Sequence, residues 1–381
     1  MPAELFDSVV GSASAAFTAP SAVPGVLGPA SLPAGFPLSF DSKQVWTGSD
    51  FKNDQSYILQ LSPEDIEELK SALKHYKTLG LGPNLISPDS FPLPILAPKL
   101  LGISEDLHNG RGFALIRGLD PKDFSVADLS TIWLGVQSFI AKARGRQDKK
   151  GNMIVHIIAD SSSAVKAGHH RHSRSAITFH TEETGDITSW ITRSAATSGG
   201  RCIIASAHKI YNTMASVSPS MIRTLAKSDW PFALPHFQCR PVMFYRGERL
   251  IMNFGRAALT GNATHPRPAS LPSLTPQQLE ALDAVEAVAQ ATQLEIQTQP
   301  GDMHFINNLC VLHRRDAFVD GSEPPTRRHL VRMRLRCDLR GWDVPAELRG
   351  QWEEAFGEKR DRVWHLEPMP DRFFPLRMYA N

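Results

Sequence analysis

His180 and Glu182 stand two residues apart in the stretch Thr178-Phe179-His180-Thr181-Glu182. In an extended segment such residues project from the same face, so an imidazole and a carboxylate can converge on one point. That is the geometry of a chelate. A third donor lies far downstream, in TQPGDMHFINNLCVLHRRDAF, where His313 follows a strand and a turn able to bring it back to the first pair. Two imidazoles and one carboxylate on one face of an octahedron leave three positions open on Fe(II), for a cosubstrate, a displaceable water and dioxygen. Among 14 histidines an HxE with a distant His is weak by itself. The next strand adds weight: Arg328 and Arg332 share one face, while Val331, Met333 and Leu335 form the other. Arginines facing a barrel interior need anions. A fork-shaped guanidinium pairs with a carboxylate through two charge-assisted hydrogen bonds, which suits a dicarboxylate such as 2-oxoglutarate that chelates iron at its other end.

These side chains need a scaffold of short strands. The first clear element is a helix in LSPEDIEELKSALKHYKTLG: Ser62 caps it, Pro63 suits its first turn and Asp65 closes a capping box. Ile66, Leu69, Leu73 and Tyr76 recur at helical spacing, and Gly80 ends it. Gly112 to Arg117 reads as a short buried strand, Val126 to Ala143 as a helix, and a second long helix runs from Thr275-Pro276 to about Ala291. Strand-like pieces fill 153–158, 186–192, 201–206, 241–254, 294–299, 303–307 and 328–336, the fourth of them a hairpin turning near Gly247. The pattern predicts a mainly β fold with flanking helices, an antiparallel sandwich or jelly-roll barrel, and not a doubly wound parallel sheet. No internal repeat and no glycine-rich phosphate loop is present.

The 381 residues, 42% hydrophobic and 21% charged, have an ordinary globular composition. Residues 1–42 are rich in Ala, Ser, Pro and Gly and read as a flexible tail, leaving 43–381 as a single domain. With 41 basic and 39 acidic side chains there is no bulk charge to attract nucleic acid or an anionic membrane, so the expected partner is a small-molecule substrate. No apolar run is long enough to span a bilayer, and no basic start with an apolar core marks a secretory signal. Cys202, Cys239, Cys310 and Cys337 form no CxxC pair, which argues for a reduced, cytoplasmic setting without structural zinc or disulfides.

HTE at 180–182, then SGGRCIIAS, then QPGDMHFINNLCVLHRRDAF, then RRHLVRMRLR together resemble the taurine dioxygenase and clavaminate synthase superfamily of Fe(II)/2-oxoglutarate-dependent oxygenases. Looser similarity to its fungal secondary-metabolism branch extends to FPLP at 91–94, GRGFALIRGLD at 110–120, GRQDKKGN at 145–152 and MNFGRAALTG at 252–261, most of the chain from Trp46 onward. The resemblance implies a double-stranded β-helix, with His180, Glu182 and His313 as metal ligands and Fe(II), 2-oxoglutarate and O2 as cofactor and cosubstrates. It also implies that Arg328 holds the cosubstrate and that Arg332 meets an acidic group of the prime substrate. A Thr or Ser that follows the GG pair in the family assists the cosubstrate; here Cys202 stands at that place, with Ser206 farther along the strand as an alternative. The activity implied is oxidation of a C–H bond by hydroxylation, desaturation or cyclisation, with release of succinate and CO2. A small amino acid or other carboxylate is the expected substrate.

Other residues have plainer readings. Glu183 and Asp186 read as a strand-end pair, or as a pair supporting the ligands from behind, and not as ligands themselves, and His169, His170 and His172 as part of a solvated loop, 161–175, able to act as a lid over the site. His304 reads as packing, Arg314 and Arg315 as solvated, Cys310 as a core thiol, and Asn307 and Asn308 as hydrogen-bonding the turn before His313. Two rival functions use the same residues. A zinc hydrolase would need the three ligands but no paired arginines, and a non-catalytic jelly-roll binding protein would not need intact ligands.

Overall fold

The computed structural model describes residues 31–159, 172–262, 266–323, 326–358 and 361–368. In chain order the strands are β1 (Ile58–Gln60), β2 (Phe113–Arg117), β3 (Ala143–Gly145), β4 (Val155–Ile158), β5 (Ile177–His180), β6 (Ile187–Ser194), β7 (Ser198–Gly199), β8 (Cys202–Ser206), β9 (Pro231–Phe232), β10 (Gln238–Cys239), β11 (Met243–Arg246), β12 (Arg249–Met252), β13 (Leu294–Ile296), β14 (Met303–Asn307), β15 (Val311–Arg315), β16 (Phe318–Val319) and β17 (His329–Arg336). A seven-stranded sheet runs β1-β2-β14-β6-β17-β3, with β4 also paired to β17, and a four-stranded sheet runs β13-β8-β15-β5. Except for the parallel pair β1–β2, all these pairings are antiparallel. This is the expected jelly roll, a double-stranded β-helix.

Alternation along β17 separates two cores. Val331, Met333 and Leu335 pack with Leu69, Trp133 and Phe305 in the core beneath the helices α1 (Pro63–Leu79), α2 (Ala97–Asn109) and α3 (Val126–Ile140). Leu330 belongs to the other core, with Ile204, Leu312 and Phe179 of the smaller sheet. The even-numbered row of β17 therefore faces the barrel interior, where the site residues gather.

Local signals account for several elements. Ser62 Oγ accepts from the Asp65 amide at 3.1 Å while Asp65 accepts from the Ser62 amide at 2.9 Å, the reciprocal capping box read from the sequence. The β11–β12 hairpin turns through Gly247 and Glu248 at φ 53° and 58°, two left-handed residues as a two-residue hairpin loop requires. Helix α3 stops at Ile140, short of the predicted Ala143, because 143–145 pairs with β17 and buried Arg144 donates to the carbonyls of Ile86 and Leu134. Helix α2 carries no capping residue of its own. Glu68 on α1 supplies one, accepting from the amides of Ile95 and Leu96 at 2.7 and 2.9 Å.

The described part of the N-terminal segment, 31–42, lies along the helix Ala207–Val217. Phe40 packs edge-on against Tyr211 at 4.9 Å and exchanges two hydrogen bonds with the Asn212 side chain. Residues 1–30 lie outside the described part of the chain. Within it, no helix is long and apolar enough to cross a membrane.

Candidate active site

Strands β5 and β15 are neighbours in the smaller sheet, and their register sets His180 directly opposite His313. The two imidazole centroids lie 4.2 Å apart. Glu182, two residues beyond His180, turns its Oε1 to within 4.0 Å of His180 Nε2 and 3.9 Å of His313 Nε2. Among the described residues this is the one group of three donors, all within 4.8 Å of one another, able to hold a metal ion. His180 Nδ1 lies 2.9 Å from the Thr178 carbonyl, which can only accept. Nδ1 must therefore carry the proton, and Nε2 presents a lone pair to the other donors. Two imidazoles and a carboxylate, three donors converging from one side, fit a divalent ion of the iron type with positions left open.

The turn carrying Glu182 is clamped. Its amide donates to Asn308 Oδ1 at 2.6 Å, and Asn308 Nδ2 donates back to the carbonyls of Glu182 and Gly185 at 3.0 and 3.1 Å. Gly185 sits at φ 99°, a conformation that side chains disfavour. Asn308 thus holds the Glu182 turn, whereas the sequence reading gave it to the turn before His313; Asn307 does brace that turn, accepting from the Leu309 amide.

Opposite, β17 contributes its inward row. Arg332 donates to Glu182 Oε1 and, at 3.1 Å, to Gln147. Arg334 donates to Glu182 Oε2 at 3.1 Å, to Glu183 Oε2 at 2.6 Å and to Thr184 Oγ1 at 3.2 Å. Arg334, not among the residues expected at the site, continues the alternation of Arg328 and Arg332.

Arg328 lies one residue before β17, its amide on Asp320 and its guanidinium 5.3 Å from the centre of the Phe318 ring. Burial pushes it down to about 10, and among the described residues the guanidinium forms no hydrogen bond or ion pair. A Cβ on Gly200, at φ 71°, would lie 3.1 Å from the Arg328 side chain, so glycine is what leaves it room. Arg328, Arg332, His180, Glu182 and His313 all border one cavity of about 90 Å³, walled on its apolar side by Ile157, Ile177, Trp190 and Leu330.

Cys202 also borders that cavity, its thiol pushed up to about 12 by burial and therefore a neutral S–H. Ser206 does not. Its hydroxyl is buried, accepting from the Lys209 amide at 3.0 Å as the cap of the following helix and donating to the Gln44 carbonyl. Arg315 corrects the solvated reading: it is buried, lies 4.8 Å from the centre of the Phe318 ring and donates to the carbonyls of Ser173 and Ser175. Arg314 is half-buried, over Phe179 and bonded to Gln293. His304 packs as expected, stacked on Trp190 at 4.7 Å, and Cys310 is a core thiol. His172 is buried against the Ile158 carbonyl, whereas residues 160–171, with His169, His170 and most of the expected lid, lie outside the described residues.

Asp186, behind the turn, is fully buried, accepts from the Cys337 amide at 2.8 Å and is pushed up to about 7 by burial against the pull of that amide. An unfolded aspartate ionises near 3.8, so between those two values the folded chain holds a proton the unfolded chain has lost, and stability falls as pH rises. The contribution is on the order of a few kcal/mol. Asp186→Asn is expected to remove it, so the stability difference between variant and parent, measured by urea denaturation, should grow in the variant's favour from pH 4 to pH 8. Parallel curves would show that Asp186 is ionised throughout.

The family profile for taurine catabolism dioxygenase TauD, TfdA family, matches residues 76–334. The chain belongs to this family. The taurine hydroxylase-like protein SAT17 of Stachybotrys chartarum is 32% identical over 345 residues, covering 87% of this chain and 89% of that one. The FR-33289 synthase of Streptomyces rubellomurinus is 21% identical over 319 residues, covering 80% and 92%. Among solved structures, asparagine oxygenase in complex with Fe(II), 2S,3S-3-hydroxyasparagine and succinate superposes with a TM-score of 0.59 at 17% identity, over 73% of this chain and 93% of that one. The non-heme iron oxygenase OrfP in complex with Fe gives 0.55 at 16%, over 76% and 97%. At such identities these structures speak for the fold. As a member of the TauD/TfdA family the protein is an oxidoreductase, a dioxygenase that works with Fe(II), 2-oxoglutarate and O2.

Proposed function

We propose that this TauD/TfdA dioxygenase holds Fe(II) with His180, Glu182 and His313, holds the far carboxylate of 2-oxoglutarate with Arg328 beside the Cys202 thiol, and presents Arg332 to an anionic group of the prime substrate. The substrate is a small carboxylate-bearing or amino-acid-like molecule, oxidised at a C–H bond by hydroxylation, desaturation or cyclisation while 2-oxoglutarate becomes succinate and CO2. The observation that carries this reading is Arg328, a half-buried cation whose guanidinium forms no hydrogen bond or ion pair among the described residues, on the same small cavity as three converging metal donors. Such a cation favours an anionic ligand, because its desolvation is offset only by charge-assisted hydrogen bonds. The substrate class draws support from relatives: asparagine oxygenase was crystallised with a hydroxylated asparagine, and OrfP with (3S)-hydroxy-L-Arg.

Bound iron supplies the activation of dioxygen; the chain supplies position and exclusion. Ile157, Ile177, Trp190 and Leu330 keep the cavity apolar around the charged groups, which strengthens each ionic contact made there. His180, with its Nδ1 proton fixed on Thr178, keeps its metal-facing nitrogen basic. Adding Fe(II) and 2-oxoglutarate to metal-free protein without oxygen should give the weak visible charge-transfer band of the chelate, and air should then release succinate. A protein that binds zinc but shows neither signal would sink the assignment.

Arg332 has its own expected result. Four residues along a strand is roughly 13 Å, so Arg328 and Arg332 serve separate anions most simply. Arg332→Ala is expected to leave the 2-oxoglutarate titration within about twofold and to retain the slow uncoupled release of succinate, while losing coupled product. Should Arg332→Ala abolish cosubstrate binding and Arg328→Ala spare it, the two roles must be exchanged.

A further inference from the structure

Glu182 has one more rotatable bond than an aspartate, and each free torsion must be fixed before its oxygen can meet an ion reliably. Its two oxygens have different surroundings. Oε1 faces both histidine Nε2 atoms and Arg332, whereas Oε2 faces Arg334. Arg334 is buried, and its guanidinium bridges Glu182 Oε2 at 3.1 Å and Glu183 Oε2 at 2.6 Å, with Thr184 Oγ1 at 3.2 Å. Three consecutive residues of one turn thus converge on a single fork. A planar guanidinium with donors in fixed directions can fix a carboxylate's orientation as a point charge cannot.

The geometry points to Arg334 as a positioning residue: its fork across Glu182 Oε2, Glu183 Oε2 and Thr184 Oγ1 fixes the rotation of the Glu182 carboxylate, so that Oε1 stays turned toward the two histidine Nε2 atoms. Glu183 is the counterweight. A cation on a ligand carboxylate draws charge from it and weakens its hold on an ion, and the second carboxylate shares that cation, so that Arg334 orients Glu182 without discharging it. Glu183 therefore serves the metal site without being a ligand. This inference rests on the reading of His180, Glu182 and His313 as ligands.

The two effects of Arg334 have opposite signs, which makes metal affinity decisive. If its charge dominates, removing it tightens metal binding; if its grip dominates, removing it loosens binding. Outer partners of metal ligands typically carry about 10- to 100-fold in affinity. Anaerobic titration with Co(II) of the parent, His313→Ala, Arg334→Gln, Arg334→Lys and Glu183→Gln tests this. Arg334→Gln is expected to weaken Co(II) about 10- to 100-fold and to shift its visible bands, because the Glu182 carboxylate then loses the fork that fixes its orientation. Arg334→Lys should recover only part of the affinity. Glu183→Gln, close in shape and retaining an oxygen for Arg334, should lose several-fold in affinity; it answers alone if Arg334→Gln fails to fold.

Parent-like or tighter binding in Glu183→Gln, or in a folded Arg334→Gln, overturns the proposal, as does full recovery in Arg334→Lys. A parent no tighter than His313→Ala would instead overturn the ligand reading beneath it.

Discussion

His313→Ala is expected to bring turnover to background and to weaken divalent metal binding by more than about a hundredfold, beyond what loss of an outer partner costs. The reason is the donor count. The described residues offer three ligand atoms at this site, and a two-donor remainder cannot hold a labile divalent ion against water. His313 is the informative choice because it comes from a different strand than the other two, so its loss leaves the His180–Glu182 turn and its Asn308 clamp untouched. Its neighbours also tolerate the change, since Leu312 and Val311 anchor β15 in the core and its backbone pairing with β8 remains. Metal content after anaerobic reconstitution, measured beside thermal unfolding of the metal-free protein, separates loss of the site from loss of the fold. Full occupancy in the variant would mean that the three donors are not the ligand set.

Arg328→Ala is expected to raise the 2-oxoglutarate concentration for half-saturation by about ten- to a hundredfold, the equivalent of a charge-assisted contact of about 1.5–3 kcal/mol. The effect on binding should exceed that on folding, because the guanidinium makes no hydrogen bond or ion pair among the described residues and its burial already disfavours its charge. Arg328→Lys keeps a cation but not the fork, so it should recover only part of the affinity. Titration through the charge-transfer band without oxygen reads this directly. An unchanged midpoint in Arg328→Ala would send the cosubstrate's far carboxylate elsewhere, with Arg315, the other cation over Phe318, the first place to look.

Both experiments rest on residues that alternation and spacing make legible: His180 and Glu182 by their two-residue offset, Arg328 and Arg332 by sharing a strand face. Signals local to the chain carry over well to the structure, as the Ser62 cap and the Gly247 turn do. What escapes the sequence reading depends on partners distant in the chain. Helix α2 is capped by Glu68, nearly 30 residues before it, so no capping residue stands at its own start. Ser206 reads as a free strand hydroxyl until the helix beginning at Ala207 claims it. Arg315 has the composition of a surface residue and is buried only because the carbonyls of Ser173 and Ser175 receive it. Arg334 was in view by parity, but its role depends on Glu182 and Glu183 turning toward it, which strand periodicity does not dictate.

The Asn308 clamp joins two parts of the chain more than 120 residues apart, the turn bearing Glu182 and the β14–β15 connection leading to His313. One amide side chain thus makes the two halves of the donor set a single mechanical piece, and displacing either drags the other. The conformational entropy of bringing them together is met when the chain folds and need not be met again when an ion arrives. In hydrogen exchange the buried amides of Glu182 and Asn308 should therefore open together, and a bound ion should slow both alike.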